Sequence, residues 1–237
     1  MDRSIYLTAA GMNASLKKLR RISVNMANSN TPGFKRTVGR LRGEPDGSTG
    51  RLSENLRPVA GPESLDLSQG GTRKTGRPLD IALRGRGFFA VETSSGRRYT
   101  RKGRMYLNQE GELVDAAGHP FVSDRGALSI PEDAKQVTVT RDGDVLADGR
   151  ELGTLRVVTI PEPEKLVRES WCLLRNDGRD PQEATDCDVE QGVLEKSNVN
   201  PLSEMVGLMK AVRAYEGNAR VMNRMDSAKK QLIQTMS

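Results

Sequence analysis

The stretch Asn200-Pro201-Leu202-Ser203-Glu204-Met205-Val206-Gly207-Leu208-Met209-Lys210-Ala211-Val212-Arg213-Ala214-Tyr215 decides the fold, because the apolar period there becomes helical. Asn200 is a good N-cap, and Pro201 suits the first helical position, where its missing N–H costs nothing. Met205, Leu208, Val212, Tyr215, Ala219 and Met222 step by 3, 4, 3, 4 and 3, and the seam resumes at Ile233 and Met236. Leu202, Met209, Met225 and Leu232 widen the apolar face. The spacing predicts a helix of about 35 residues, about 50 Å long. Gly217, inside it, costs about 1 kcal/mol relative to Ala and marks a candidate bend.

Working outward to the other end of the chain, Ile5, Ala9, Met12, Leu16, Leu19 and Met26 recur at spacings of 4, 3, 4, 3 and 7, with Ser23 breaking the alternation. This is a heptad-like stripe, with Lys17, Lys18, Arg20 and Arg21 mostly off the seam. The helix stops at Asn28-Ser29-Asn30-Thr31-Pro32-Gly33, where Pro removes a donor and Asn and Gly tolerate left-handed backbone.

Between the helices the pattern is different. Gly43 to Ser64 is rich in Gly, Pro, Ser and charge, so residues 37–64 read as an exposed connector. From Leu65 short strands follow: Asp80 to Leu83, Gly87 to Val91, Arg97 to Leu107, Val137 to Thr140, Val145 to Ala147 and Leu155 to Ile160, punctuated by turn residues such as Asp142-Gly143. The predicted fold is mixed and mainly β, an all-β central domain flanked by terminal amphipathic α-helices that pair as a coiled-coil-like assembly core. The divisions are 1–36 for the first helix and its stop, 37–64 for the connector, 65–195 for the β body and 196–237 for the second helix. Helices of about 22 and 35 residues leave apolar face unmatched. Either that face covers the β body, or it meets other subunits.

Charge supports a division between ends and middle. The formal net charge is +6, yet residues 1–36 carry seven Lys/Arg against one Asp and residues 198–237 carry six against three acids, which leaves the middle at −3. Cys172 and Cys187 match no metal spacing; two thiols are favoured over a disulfide. There is no run of about 18 apolar residues to span a membrane. The N-terminus, interrupted by Asn13, Lys17 and Lys18, does not resemble a cleavable secretory signal, so export needs another route.

Catalytic readings find little support. The one histidine, His119, has no nucleophile or metal partner nearby in sequence, and Asp142, Asp144 and Asp148 do not fit a calcium loop. Gly85-Arg86-Gly87 lacks the third glycine and the helix of a nucleotide fingerprint. The expectation is a chain with no catalytic residue, no cofactor and no metal. A nucleic-acid binder is the remaining rival: residues 73–104 hold ten Lys/Arg, with Phe88, Phe89 and Tyr99 interleaved as a candidate stacking surface. The competing assignment makes those aromatics the scarce core of the β domain, and no nucleic-acid partner is expected.

Three blocks carry a resemblance. Asn25-Met26-Ala27-Asn28-Ser29-Asn30-Thr31-Pro32-Gly33-Phe34-Lys35 is similar to the NLANxxTPGFK signature of the flagellar rod and hook protein family. Leu194-Glu195-Lys196-Ser197-Asn198-Val199-Asn200-Pro201, with Glu204-Met205-Val206 and Arg213-Ala214-Tyr215-Glu216, resembles its C-terminal signature, and Thr75 to Phe89 with Tyr99 to Gly103 looks like the entry to its β domain. The short body and the Met1-Asp2-Arg3 start look most like proximal-rod members, with distal-rod members as the alternative. Met105 departs from the pattern, where an aromatic is usual.

The resemblance implies a non-enzymatic subunit of the basal-body rod, in the periplasm, exported through the flagellar type III apparatus without a cleaved signal peptide. Its implied partners are copies of itself and other rod proteins. The terminal helices would line a hollow helical tube and transmit torque. On this reading the assembly residues are the two seams, including Leu202, Met209, Asn198 and Asn200. Asn25, Asn28, Thr31, Pro32, Gly33 and Phe34 form the turn that ends the first helix and directs the chain.

Overall fold

The structure of the protein, a computed structural model, describes residues 2–45, 56–170 and 172–235. The chain divides into two compact units. One comprises Met1–Ala27, Thr37–Ser64 and Asn200–Ser237; the other comprises Asn28–Arg36 and Leu65–Val199. The signature turn after the first helix therefore belongs with the β body and not with the helix that precedes it.

The first unit holds helix α1 (Asp2–Ala27), strands β1 (Thr37–Pro45) and β2 (Leu56–Leu65), which pair as a two-stranded ribbon, and helix α2 (Pro201–Thr235). Where composition reads as a connector, the backbone forms strands. Gly and Pro are tolerated in such a ribbon because, among the described residues, each strand pairs only with the other. The head of that segment, residues 46–55, lies outside the described residues. At the start of α2, Asn200 caps the helix: its Oδ1 accepts from Ser203 N–H at 3.1 Å and its carbonyl from Glu204 N–H at 3.0 Å. Helix α2 is continuous through Gly217.

The two helices pack together and run antiparallel, Gly11 lying against Asn218 and Ile22 against Gly207. A Cβ built on Gly11 would come 3.0 Å from Asn218 Nδ2, so glycine there sets how closely the helices approach. The buried column of α1 is Thr8, Ser15 and Ile22, a strict heptad spacing; Ile22 faces Gly207 of α2, and Ala211, four positions on, is also buried. The most buried positions of the helix pair thus include small and polar side chains beside Ile22.

The second unit is the β body. Its main sheet has six antiparallel strands in the order Leu166–Arg168, Leu174–Asn176, Gly96–Thr100, Phe88–Thr93, Val157–Thr159 and Gln182–Glu183. Numbering onward in chain order, β3 is Thr72–Lys74, β4 is Ile81–Gly85, β5 is Phe88–Thr93 and β6 is Gly96–Thr100. Strand β5 is buried on both faces: Phe89 and Val91 enter one apolar cluster with Ile81, Leu113 and Phe121, while Phe88 and Ala90 enter another with Tyr99, Val158 and Leu174. Met105 is fully buried in the first cluster, filling the place where the family resemblance leads one to expect an aromatic. Late strands close the body on early ones, Cys187–Gln191 pairing β4 and Val193–Glu195 pairing β3.

Candidate assembly surfaces

The contact with α1 covers only part of the apolar surface of α2. On α2, Leu202, Met205, Met209 and Val212 form an i, i+3, i+7, i+10 row that is 71%, 51%, 48% and 38% exposed, with Val206 beside it. Leu208, Tyr215, Ala219 and Met222, also expected on the seam, are half-buried on the side turned toward α1. The single C-terminal stripe read from sequence is therefore two rows, one spent within the chain and one facing outward. Burying a side chain of this kind fully is worth about 1.5–3 kcal/mol, so the outward row is a surface that gains from cover.

On α1, Leu16 is 41% exposed and Ala9 is also exposed, while Met12, Leu19 and Met26 are half-buried. The buried column of Thr8, Ser15 and Ile22 lies one position away from the expected seam, because two polar residues at heptad spacing carry no hydropathy signal. The side chains of Ile5 and Ile233, and Met236 as a whole, lie outside the described residues.

The signature residues are held firmly. In the helical unit, Asn25 is buried at the end of α1 and exchanges two hydrogen bonds with Thr37: Nδ2 donates to its carbonyl at 2.9 Å, and Oδ1 accepts from its N–H at 3.0 Å. In the β body, Thr31 N–H donates to the Asn28 carbonyl at 3.1 Å and Thr31 Oγ1 to Asn28 Oδ1 at 3.1 Å, which closes the turn. Pro32 presents its carbonyl to the Cys172 thiol at 3.7 Å. Gly33 adopts a φ of +70°, and a Cβ there would stand 2.4 Å from Lys102 N, so only glycine fits. Phe34 is completely buried beneath the Arg168 guanidinium, 4.1 Å above its ring.

Beside this turn lies a buried ionic network with no counterpart among the expected site residues. Lys35 Nζ donates to Glu195 Oε1 at 2.7 Å and to the Ser68 carbonyl at 2.8 Å; Glu195 also accepts from Gly70 N–H at 3.0 Å and from Arg101 Nη1 at 3.3 Å. Burial pushes the Lys35 ammonium down from its ordinary pKa of 10.5, against the pull of Glu195. Asn198 completes the stitching: its Oδ1 accepts from Arg36 N–H at 2.7 Å, and its Nδ2 donates to the carbonyls of Asp66 at 2.8 Å and Ser68 at 3.1 Å. Three separate segments of the body are fastened side by side.

The rival chemistries meet specific obstacles. Phe88, Phe89 and Tyr99 are buried in the two apolar clusters, so they offer no stacking surface to a nucleic acid. His119 Nδ1 lies 3.1 Å from Asp115 Oδ2, an arrangement that fastens a surface turn also held by the Asp115 carboxylate on Ala117 and His119 N–H. Cys172 and Cys187 are both free thiols, each pushed up in pKa by burial, which keeps them protonated and poorly nucleophilic.

Comparison with known proteins assigns the family. The family model described as flagellar hook protein FlgE/F/G D1 domain matches residues 82–147, and that described as flagellar basal body rod FlgEFG protein C-terminal matches residues 190–235. Over 94% of its length the chain is 34% identical to the flagellar basal-body rod protein FlgF of Caulobacter vibrioides, covering 93% of that protein. The chain belongs to the flagellar basal-body rod protein family. Similarity to FlgF of Mesorhizobium japonicum is 32% over the whole chain and 98% of the relative, and to FlgG of Bacillus subtilis 30% over 98% of each. Identity to these two FlgF proteins thus exceeds that to this FlgG, in keeping with the resemblance to proximal-rod members. The two family models fall on the opening of the β body and on α2 with its approach, so the outward row on α2 is family sequence.

Proposed function

We propose that the chain is a structural subunit of the flagellar basal-body rod that polymerises through the outward faces of its terminal helices and so transmits torque. The observation that carries this reading is the row Leu202, Met205, Met209 and Val212, left exposed on a helix whose inner face is already occupied. Contacts of this kind are heterologous: one face of a subunit meets a different face of the next, and growth stays open. Copies of the chain and other rod proteins are the partners, in the periplasmic rod, reached through the flagellar export apparatus. The higher identity to relatives named FlgF favours the proximal rod; the relative named FlgG keeps the distal rod as the second reading.

Val212→Asp tests the proposal, because a charge placed in a buried seam costs several kcal/mol while at an exposed position it costs the monomer little. In a strain lacking the native gene, the unmodified chain restores swimming, and the variant, with an unchanged circular dichroism spectrum, does not. Full motility with Val212→Asp would refute assembly through this face.

A further inference from the structure

We infer that the β body carries a second, charge-matched contact between successive copies of this chain, formed by β3 of one copy against the Gln182–Glu183 strand of the next. The inference rests on the rod reading for its setting and on two separate observations for its content.

The first is two open strand edges. Strand β3 pairs on one side with Val193–Glu195 and on its other side with no strand among the described residues; Gln182–Glu183 is the terminal strand of the six-stranded sheet and is likewise open on one side. Both strands are exposed along their length. An open edge presents unpaired backbone donors and acceptors, which is a template for another strand.

The second is unpaired charge of one sign at each edge. Arg73 and Lys74 lie on β3, and Lys196, whose N–H donates to the Gly71 carbonyl at 2.7 Å, continues the paired strand beside them. All three side chains are exposed, and none makes an ion pair among the described residues. At the opposite-signed edge, Asp180, Glu183 and Asp186 flank or lie on the terminal strand, all exposed and all without an ion-pair partner among the described residues. The next acid, Asp188, lies on the strand that pairs β4, away from this edge, where it stands opposite Arg84.

Selectivity follows from the two together. Cations along an edge repel indiscriminate pairing with like edges, so β3 accepts only an acidic strand, and the acidic strand rejects its own kind. Each copy carries one edge of each sign, so the contact is head-to-tail and leaves one of each free for the next copy.

Charge reversal in the full chain tests this. One variant carries Arg73→Glu, Lys74→Glu and Lys196→Glu; the other carries Asp180→Lys, Glu183→Lys and Asp186→Lys. Each alone is expected to weaken self-association at low salt by about tenfold or more in sedimentation, and an equal mixture to recover it. Unchanged association of each variant alone, or failure of the mixture to recover, overturns the contact. Because α1 and α2 are untouched, association that persists through the helices leaves the rod reading standing while this one falls. If a reversed chain misfolds, Lys74→Cys with Glu183→Cys in the otherwise unmodified chain decides the matter. Mild oxidation is expected to give chain-to-chain disulfide ladders absent from the unmodified protein, and their absence overturns the inference.

Discussion

Lys35 and Glu195, 160 positions apart, form a buried ion pair at 2.7 Å that ties the N-terminal signature to the C-terminal one. Arg101 shares the same carboxylate from β6's end, and the three side chains are almost wholly withdrawn from water. Removing one member strands the others. Lys35→Met is expected to lower stability by about 3–5 kcal/mol, read as a fall in denaturant midpoint, and the double variant Lys35→Met/Glu195→Leu to cost less than the two single changes together.

Gly33→Ala gives a different kind of loss. The added methyl meets the Lys102 backbone at 2.4 Å and the φ of +70° is unfavourable for alanine. Destabilisation of about 2 kcal/mol or more is expected in thermal or chemical melts.

Asn200→Ala removes the cap from α2. A cost of about 1 kcal/mol is expected, with faster amide exchange at Ser203 and Glu204, while Asn200→Ser largely preserves both.

Gly11→Leu acts on the helix pair from inside. The side chain would enter the space held by Asn218, so α1 and α2 are expected to separate, with a lower melting temperature for the helical signal. Leu16→Asp, at an exposed position on the same helix, is expected to leave that signal unchanged and abolish assembly.

Much of this was legible in the sequence where one residue type has one local meaning. The Asn200-Pro201 start, the stop after Ala27 and the apolar run of β5 each follow from backbone geometry or period, and the structure has all three. The inner column of α1 was not, because Thr8 and Ser15 are polar and their burial depends on α2, from the far end of the chain. The Lys35–Glu195–Arg101 network was hidden for a related reason: a charged residue reads as solvent-facing until a partner from the far end of the chain is in place. Residues 37–64 show the limit of composition, since Gly and Pro mark flexibility in a linker yet are tolerated in a two-stranded ribbon.

The order in which the body is tied has a consequence for biogenesis. Among the described residues, strands β3 and β4 have their strand partners in Val193–Glu195 and Cys187–Gln191, more than one hundred positions downstream. A nascent chain still lacking its last fifth can form the six-stranded sheet but cannot pair β3 or complete the pairing of β4, so these two are tied only after most of the polypeptide has left the ribosome. Late closure of that sort lengthens the interval in which the early strands stay extended and unpaired.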